Sequence, residues 1–472
     1  MKNKIPLFVL LTVFIVFTGA CSPFAPKSRT GLEAELPAQF SLFSSEKTTG
    51  EQSGRWWENF NDPELNELIE DALSGNFSIK EARARLMQAK ALSAKAGADR
   101  FPDLNFNAGT TQGRQRTDTS INTSTKGIEN YSFGLSSAYE IDLWGKIRSE
   151  QEAVRLDEEA VKEDLSTAAM TLAAAVAKDW ADIIAQRMQK KLLEKQLKTN
   201  QTYLKLIELR FDKGLVSALD VFQQRQTVEK VRAQIPKAEE QEILLMHDLA
   251  LLLGRLPKSS LKITRTKLPV FDNIPLSGLP AELLIYRPDV RASALRLMAS
   301  DWKVSAAKAA RLPAVKLTGN ASMGANDLDL IFDNWILSLA GNLTAPIFDA
   351  NRRKAEVERT LAKSDESLWA YRRTVYTAVK EVEDALISEK KQREHINALE
   401  KEKKAAALAL DEAIAHYRKG VSDYLPVLTH NLSVQGLERD LITQENILIN
   451  RRISLYRALG GAWNYNSSIK FF

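Results

Sequence analysis

Hydrophobic residues follow two different periods along this chain, and the places where the period changes are the first clue to its architecture. Over most of the length, apolar positions recur every three or four residues, the spacing of an amphipathic helix. Two such stretches are long: the 68 residues between Gly145 and Gly214, and the 68 between Asn351 and Gly420, contain neither Gly nor Pro. A helix of that length runs about 100 Å and needs a partner along its whole length. Leu165, Leu172, Leu197, Leu204 and Phe211 fall at or near multiples of seven, which suits coiled packing. The Ala-dense segment AAMTLAAAVAKDWADIIA, residues 168–185, permits close helix contact. Asp62-Pro63 reads as a helix start, and Pro236 should kink the helix returning from Gly214.

In four runs the period drops to two. Leu104, Phe106 and Ala108 alternate with Asn105, Asn107 and Gly109, and Tyr131, Phe133, Leu135 and Tyr139 with Ser132, Gly134, Ser136 and Ala138. Later, Val315, Leu317 and Met323 alternate with Lys316, Thr318, Asn320 and Ser322, and Trp335, Leu337, Leu339 and Leu343 with Ile336, Ser338, Ala340 and Asn342. The expected strands cover about 103–112, 131–140, 314–324 and 335–344. Each is about 9–11 residues, the length of a tilted transmembrane strand. Amphipathic strands of a soluble sheet carry the same pattern. In lipid, however, open strand edges cost several kcal/mol per unpaired group, and closure takes about eight strands or more. Four strands in a membrane therefore require other copies of the chain: two would give eight strands, three would give twelve.

The pattern occurs twice. FDKGLVSALDV (211–221) matches YRKGVSDYLPV (417–427) at an offset of 206, and Leu253-Gly254 matches Leu459-Gly460. Nearer the start, Ile79, Arg85, Leu86 and Met87 face Val290, Arg296, Leu297 and Met298 at an offset of 211. The first copy is thus five residues longer between its proline and its long helix, and the extra length falls in the polar QGRQRTDTSINTSTKGIEN, expected to be a loop. The expected organisation is a signal peptide over 1–20, a leader over 21–55, a first repeat over 56–256 and a proline-rich connector over 257–286. A second repeat over 287–463 and a tail over 464–472 complete it.

Composition narrows the chemistry. The chain has 472 residues, 65 basic and 60 acidic, for a net charge of +5 without a segregated basic block, which argues against nucleic-acid binding. A single cysteine excludes an internal disulfide and any multi-cysteine metal site. That cysteine, Cys21, follows Lys2, Lys4, an apolar run from Ile5 to Phe17, and Gly19-Ala20. The run is too short to span a bilayer and fits a secretory signal. Its ending resembles a bacterial lipoprotein processing site, with Thr18 where such sites usually carry Leu; the alternative is an ordinary signal peptide with a coincidental cysteine.

These residues resemble the TolC family of outer-membrane efflux ducts, in its lipoprotein (NodT or OprM-like) branch. The resemblance covers roughly residues 52–463 and rests on WWENFNDPELNELI, EIDLWGK, LLIYRPDVRAS, PIFDANRRKAEV and the ending YLPVLTHNLSVQGLERDLIT with LYRALGGAW. It implies a mostly α protein with membrane β: long coiled helical hairpins forming a periplasmic barrel, and four strands per chain in a shared twelve-stranded outer-membrane barrel. It implies a homotrimer in the cell outer membrane, lipid-anchored at Cys21 and contacting outer-membrane lipid, with Ser22 favouring that membrane. It further implies a periplasmic adaptor and an inner-membrane pump, most often of the resistance–nodulation–division class. The implied function is passive conduction of small toxic compounds, without a cofactor. The tips at Gly214, Leu215, Gly420 and Val421 match the family's adaptor-docking turns. The family's periplasmic constriction maps onto Leu425 and Thr429, with Asp220 and Gln223 in the first copy. Pro426 stands where some relatives carry Asp, so the expected constriction is apolar with Asp220 its one acidic candidate; a solvated helix-start carboxylate is the other role open to it.

The same residues bear on other classes. His247, His395, His416 and His430 show no metal-ligand spacing, no P-loop is present, and the seven methionines are scattered. A type I protein-secretion duct would use the same tube, and a coiled-coil lipoprotein without a channel would use the same helices. The rod alone leaves unexplained why a strand pair sits at the same place in each half.

Overall fold

The computed structural model describes residues 23–26, 40, 55–119, 122–257, 261–271 and 286–460. Cys21, the expected signal peptide, the expected tail and part of the connector lie outside them. A 3-10 turn at Trp56–Phe60 leads into α1 (Pro63–Gly75) and α2 (Phe77–Ala98), followed by β1 (Asn105–Thr119) and β2 (Asn122–Ile141). Then come α3 (Lys146–Asp212), α4 (Ala218–Leu252), α5 (Pro288–Ala309), β3 (Ala314–Ala325), β4 (Trp335–Thr344), α6 (Arg352–Arg418) and α7 (Leu425–Ala458).

Helix starts are dictated locally. The Asp62 carboxylate accepts the Leu65 N–H at 3.0 Å, with Pro63 at the first helical position. Asp142 accepts from the N–H groups of Ile147 and Arg148 at 3.1 and 2.8 Å, capping the 67-residue α3. Ser217 and Asp220 form a capping box that opens α4, which continues through Pro236 to Leu252. Along α3, Leu165 and Leu172 are buried, and Leu197 and Leu204 pack partly buried against core residues. Phe211 departs from the expected seam and is exposed, one residue before α3 ends.

The duplication is preserved in three dimensions. An offset of 206 carries Lys146–Asp212 onto Arg352–Arg418, and 211 carries Phe77–Ala98 onto Pro288–Ala309. Even the joints match in role while differing in chemistry. The Asn76 amide donates to the Leu252 carbonyl at 2.8 Å, and at the matching place the Arg287 guanidinium donates to the Ala458 carbonyl at 3.1 Å. Both satisfy a carbonyl in a last helical turn that has no partner within its helix. Gly254 follows the first of these at φ +70, so close to Gly75 that a Cβ would collide with the Gly75 backbone.

The chain divides into two compact units, and each draws on both sequence halves. One comprises Leu86–Val161 and Ala292–Arg372 and holds the sheet; the other comprises Glu33–Arg85, Lys162–Arg291 and Arg373–Phe472. In the second, Trp56, Trp57, Phe60 and Trp180 are buried, with Trp56 stacked on Tyr456 at 5.4 Å and Phe60 edge-on to Phe271 at 4.9 Å. Such aromatic pairs contribute about 0.5–1.5 kcal/mol each beyond area burial. Glu389 and Arg452, both buried, pair at 2.6 Å.

In the first unit the four strands form one antiparallel sheet in the order β1-β2-β3-β4. β1 and β2 extend well beyond the runs expected from the alternation. The segment expected to be a loop pairs residue by residue as far as Thr119↔Asn122. Its Thr-rich composition lacks an apolar face, which hid the strand from a reading based on alternation, yet backbone pairing needs none.

Candidate functional site

Two surfaces are candidates, one in each unit. The first is a face of the sheet. Register aligns Phe106 with Leu135, Leu135 with Ala321, and Ala321 with Leu337. A second row runs Ala108, Phe133, Met323, Trp335, and a third Tyr139, Leu317, Gly341. Directly paired residues share a face, so the apolar alternation of four separate segments falls on one side. The opposite side reads Asn105, Ser136, Asn320, Ser338 and Glu140, Lys316, Asn342. Glu140 and Lys316 form an ion pair there at 3.6 Å.

No charged residue occupies the apolar side between Tyr131 and Ile141 or along the segments paired with it. Yet Phe106, Leu135, Trp335, Leu337, Leu339 and Leu343 are all exposed, Leu339 by 81%. Fully covering one such side chain is worth about 1.5–3 kcal/mol, so this face demands an apolar environment. From Tyr131 to Ile141 the strand rises about 34 Å, which at a barrel tilt near 40° spans roughly 25 Å, the height of a lipid-facing band. Among the described residues no helix is long and apolar enough to cross a membrane.

The second surface is the pair of helical turns. Gly214 adopts φ +67 and Gly420 φ +71. Beyond each, an N–H reaches back five residues: Leu215 to the Arg210 carbonyl at 2.9 Å and Val421 to the His416 carbonyl at 3.0 Å. This αL termination satisfies carbonyls at the helix end and favours glycine. Between the turns lies an apolar cluster of Ile207, Val221, Tyr417, Tyr424, Val427 and Leu428, which holds the two hairpins together. The Arg210 guanidinium sits 4.4 Å from the Tyr417 ring centre. Burial, then the nearby Tyr203, Tyr417 and Asp220, raises the Tyr424 phenol well above its usual range, so it stays a hydrogen-bond donor.

Above the cluster runs a buried ladder of neutral polar side chains that sequence reasoning missed. The Tyr424 hydroxyl donates to Gln224 Oε1 at 2.8 Å, and Gln224 Nε2 donates to the Asn200 carbonyl at 2.9 Å. Asn200 Nδ2 donates to Gln435 Oε1 at 3.0 Å, while Asn200 Oδ1 accepts from Asn431 at 3.1 Å and Gln435 at 3.0 Å. The signal was present: Gln196/Asn200 and Asn431/Gln435 are each spaced by four, one face of a helix. Spacing alone does not separate a buried polar rung from a solvated one.

The structure places the expected site residues as follows. Leu215 and Val421, matched by the 206 offset, are both exposed beside their glycines. Leu425 opens α7 and is 50% exposed, with Thr429 exposed one turn on. Asp220 sits in the capping box, its Oδ2 accepting from the Ser217 N–H at 2.9 Å and hydroxyl at 2.8 Å, so the helix-start role is realised. Gln223 is half-buried one turn beyond Leu219. Leu219 itself was overlooked: it is the offset partner of Leu425 and 62% exposed. Among the described residues no group of three His, Cys, Asp or Glu side chains is placed to hold a metal.

A sheet with one unbroken lipid-compatible face, in a chain that also builds long paired helical hairpins, defines a membrane channel subunit of mixed β and helical construction. The chain belongs to the outer membrane efflux protein family, whose profile matches residues 68–255 and 279–461. It is 30% identical over 454 residues to the pyoverdine export outer membrane protein OpmQ of Pseudomonas aeruginosa, covering 94% of each chain. It is 27% identical over 441 residues to the cation efflux system protein CusC of Escherichia coli, covering 91% of this chain and 93% of that one. Among solved structures, the outer-membrane channel OprN superposes with a TM-score of 0.83 at 28% identity, covering 94% of this chain and 98% of that one. The protein is an outer-membrane efflux channel, the exit duct of an efflux system.

Proposed function

We propose that three copies of the chain close into one twelve-stranded barrel and conduct small toxic compounds outward, passed on by a periplasmic adaptor and an inner-membrane pump of the resistance–nodulation–division class. The observation that carries this reading is the apolar face continuous across four strands, whose outer members β1 and β4 each pair on one side only among the described residues. In lipid those edges must be filled, and identical copies fill them by joining β4 to β1 of the next. Family membership supports three copies rather than two.

The adaptor docks on the tips at Gly214, Leu215, Gly420 and Val421, where exposed apolar side chains flank glycine turns at positive φ. Leu425, with Thr429 a turn further on, forms the constriction, and Asp220 and Gln223 line it from the first copy. Cys21 carries the lipid. The names of the relatives point to pyoverdine in one case and cations in another, which fits a duct whose cargo is chosen by its pump.

The native mass of the detergent-extracted protein tests the assembly. Three subunits, each lacking residues 1–20 and carrying acyl mass, are expected; a monomer or dimer with unmodified Cys21 overturns it. Cys21→Ser should remove the acyl mass yet leave the protein in the membrane, held by its strands, and a fully soluble variant contradicts the barrel.

A further inference from the structure

The first hairpin does not stop where the sheet stops. Pairing between β2 and β3 ends at Tyr131↔Ala325, whereas β1 and β2 continue from Thr111↔Asn130 to Thr119↔Asn122. At 3.4 Å per residue this two-stranded ribbon runs about 30 Å past the sheet, from the end opposite to the one where α2 enters and α3 leaves.

Register shows what the lipid-facing column becomes along that ribbon. Phe106↔Leu135, Ala108↔Phe133 and Thr110↔Tyr131 are followed on the same face by Gln112↔Glu129, Arg114↔Gly127 and Arg116↔Thr125. An apolar column thus passes through an aromatic residue and ends in two guanidinium groups. Arg114 stands four residues beyond the Tyr131 level, about 14 Å along the strand and about 10 Å along the membrane normal at barrel tilt, the depth of lipid headgroups. The third cation of the ribbon, Lys126, pairs with Gln115 and so lies on the other face.

We propose that Arg114 and Arg116 bind the phosphate groups of an anionic outer-leaflet lipid. Opposite Arg114 stands Gly127, where an added Cβ would meet nothing within 4 Å, so the cross-strand position is open and carries no side chain. The Arg116 side chain is 68% exposed; its contact with Asp118 at 3.4 Å is a solvent-exposed pair that a phosphate can displace. Glu129 and Asp118 flank the arginines on this face, so attraction is not a diffuse positive field. It comes from the guanidinium fork, whose planar donors match phosphate oxygens and which lysine does not reproduce. The inference rests on the apolar side of the sheet facing lipid.

The test uses the full-length detergent-purified protein and native mass spectrometry with diphosphoryl lipid A as probe and its dephosphorylated form as control. Arg114→Gln/Arg116→Gln should weaken binding of the phosphorylated probe by at least about tenfold, and Lys126→Gln should leave it within about twofold, since that side chain faces away. The dephosphorylated probe should bind parent and double variant alike. Equal binding of the phosphorylated probe to parent and double variant overturns the proposal, as does an equal loss on Lys126→Gln. Single-channel conductance, read on the same samples, reports on the duct separately and should be unchanged in the double variant.

Discussion

Asn200 is the centre of the buried ladder, and Asn200→Leu isolates what the ladder contributes. The side chain is fully buried, donates to Gln435 and accepts from both Asn431 and Gln435. Leucine has the same branched shape and number of side-chain heavy atoms, so no cavity opens. Gln435 Nε2 keeps Asn431 Oδ1 as an acceptor at 3.2 Å. Gln435 Oε1 and Asn431 Nδ2, however, lose the partners that Asn200 supplied. Each buried polar group left unpaired costs about 1–3 kcal/mol, so the two together should make the variant open locally more easily by about 2–6 kcal/mol. Native-state hydrogen exchange measures this directly. Amides near Gln196–Asn200 and Asn431–Gln435 should exchange roughly 30-fold to about 20,000-fold faster, while those around Leu165 stay as they were. A variant that also replaces Asn431 and Gln435 by Leu and Met leaves no orphan in the core of the ladder and should recover most of the protection. Exchange within about threefold of the parent in the single variant would show that the ladder is wet or slack, and the argument would fail.

Three further outcomes are expected. Leu425→Ala should raise the closed-state conductance by widening an apolar constriction, and unchanged conductance would remove Leu425 from the gate. Burial, with Asp182 and Asp248 nearby, pushes Asp179 up to about 7. The folded chain therefore holds a proton that the unfolded chain has released, and stability falls as pH rises from about 4 to about 7. Asp179→Asn should be more stable than the parent in thermal unfolding above pH ~7 and similar near pH ~4; parallel pH profiles would refute this. Gly254→Ala and Gly214→Ala both place a side chain at positive φ, at +70 and +67, but only Gly254 also meets backbone. The first should therefore cost more than about 1 kcal/mol in thermal stability and more than the second; equal costs would mean the contact with Gly75 relaxes freely.

Much of this was legible in the order of residues. Sixty-eight-residue runs without Gly or Pro became 67-residue helices at Lys146–Asp212 and Arg352–Arg418, because nothing in them interrupts the backbone ladder and their ends carry glycine or a caped turn. The apolar period of two identified the strands through residues such as Phe106, Leu135, Leu317 and Leu337, since a half-buried strand must repeat its polarity at that spacing. The repeated tip sequences announced two equivalent turns, and the resemblance led to Leu425 and to Asp220, whose cap follows from Ser217 three residues earlier.

What the order of residues did not decide is which side chains meet. The ribbon beyond Tyr131 is strand because a partner strand lies beside it, and no polarity pattern records that. Asn200, Gln224 and Gln435 lie far apart in sequence and became one network only when α3, α4 and α7 packed together. Local chemistry sets where helices and strands begin and end, because caps, turns and periodicity act over a few residues. Register and burial depend on contacts between distant segments, and these decided that four amphipathic strands share one apolar face and that two arginines lie at the end of it.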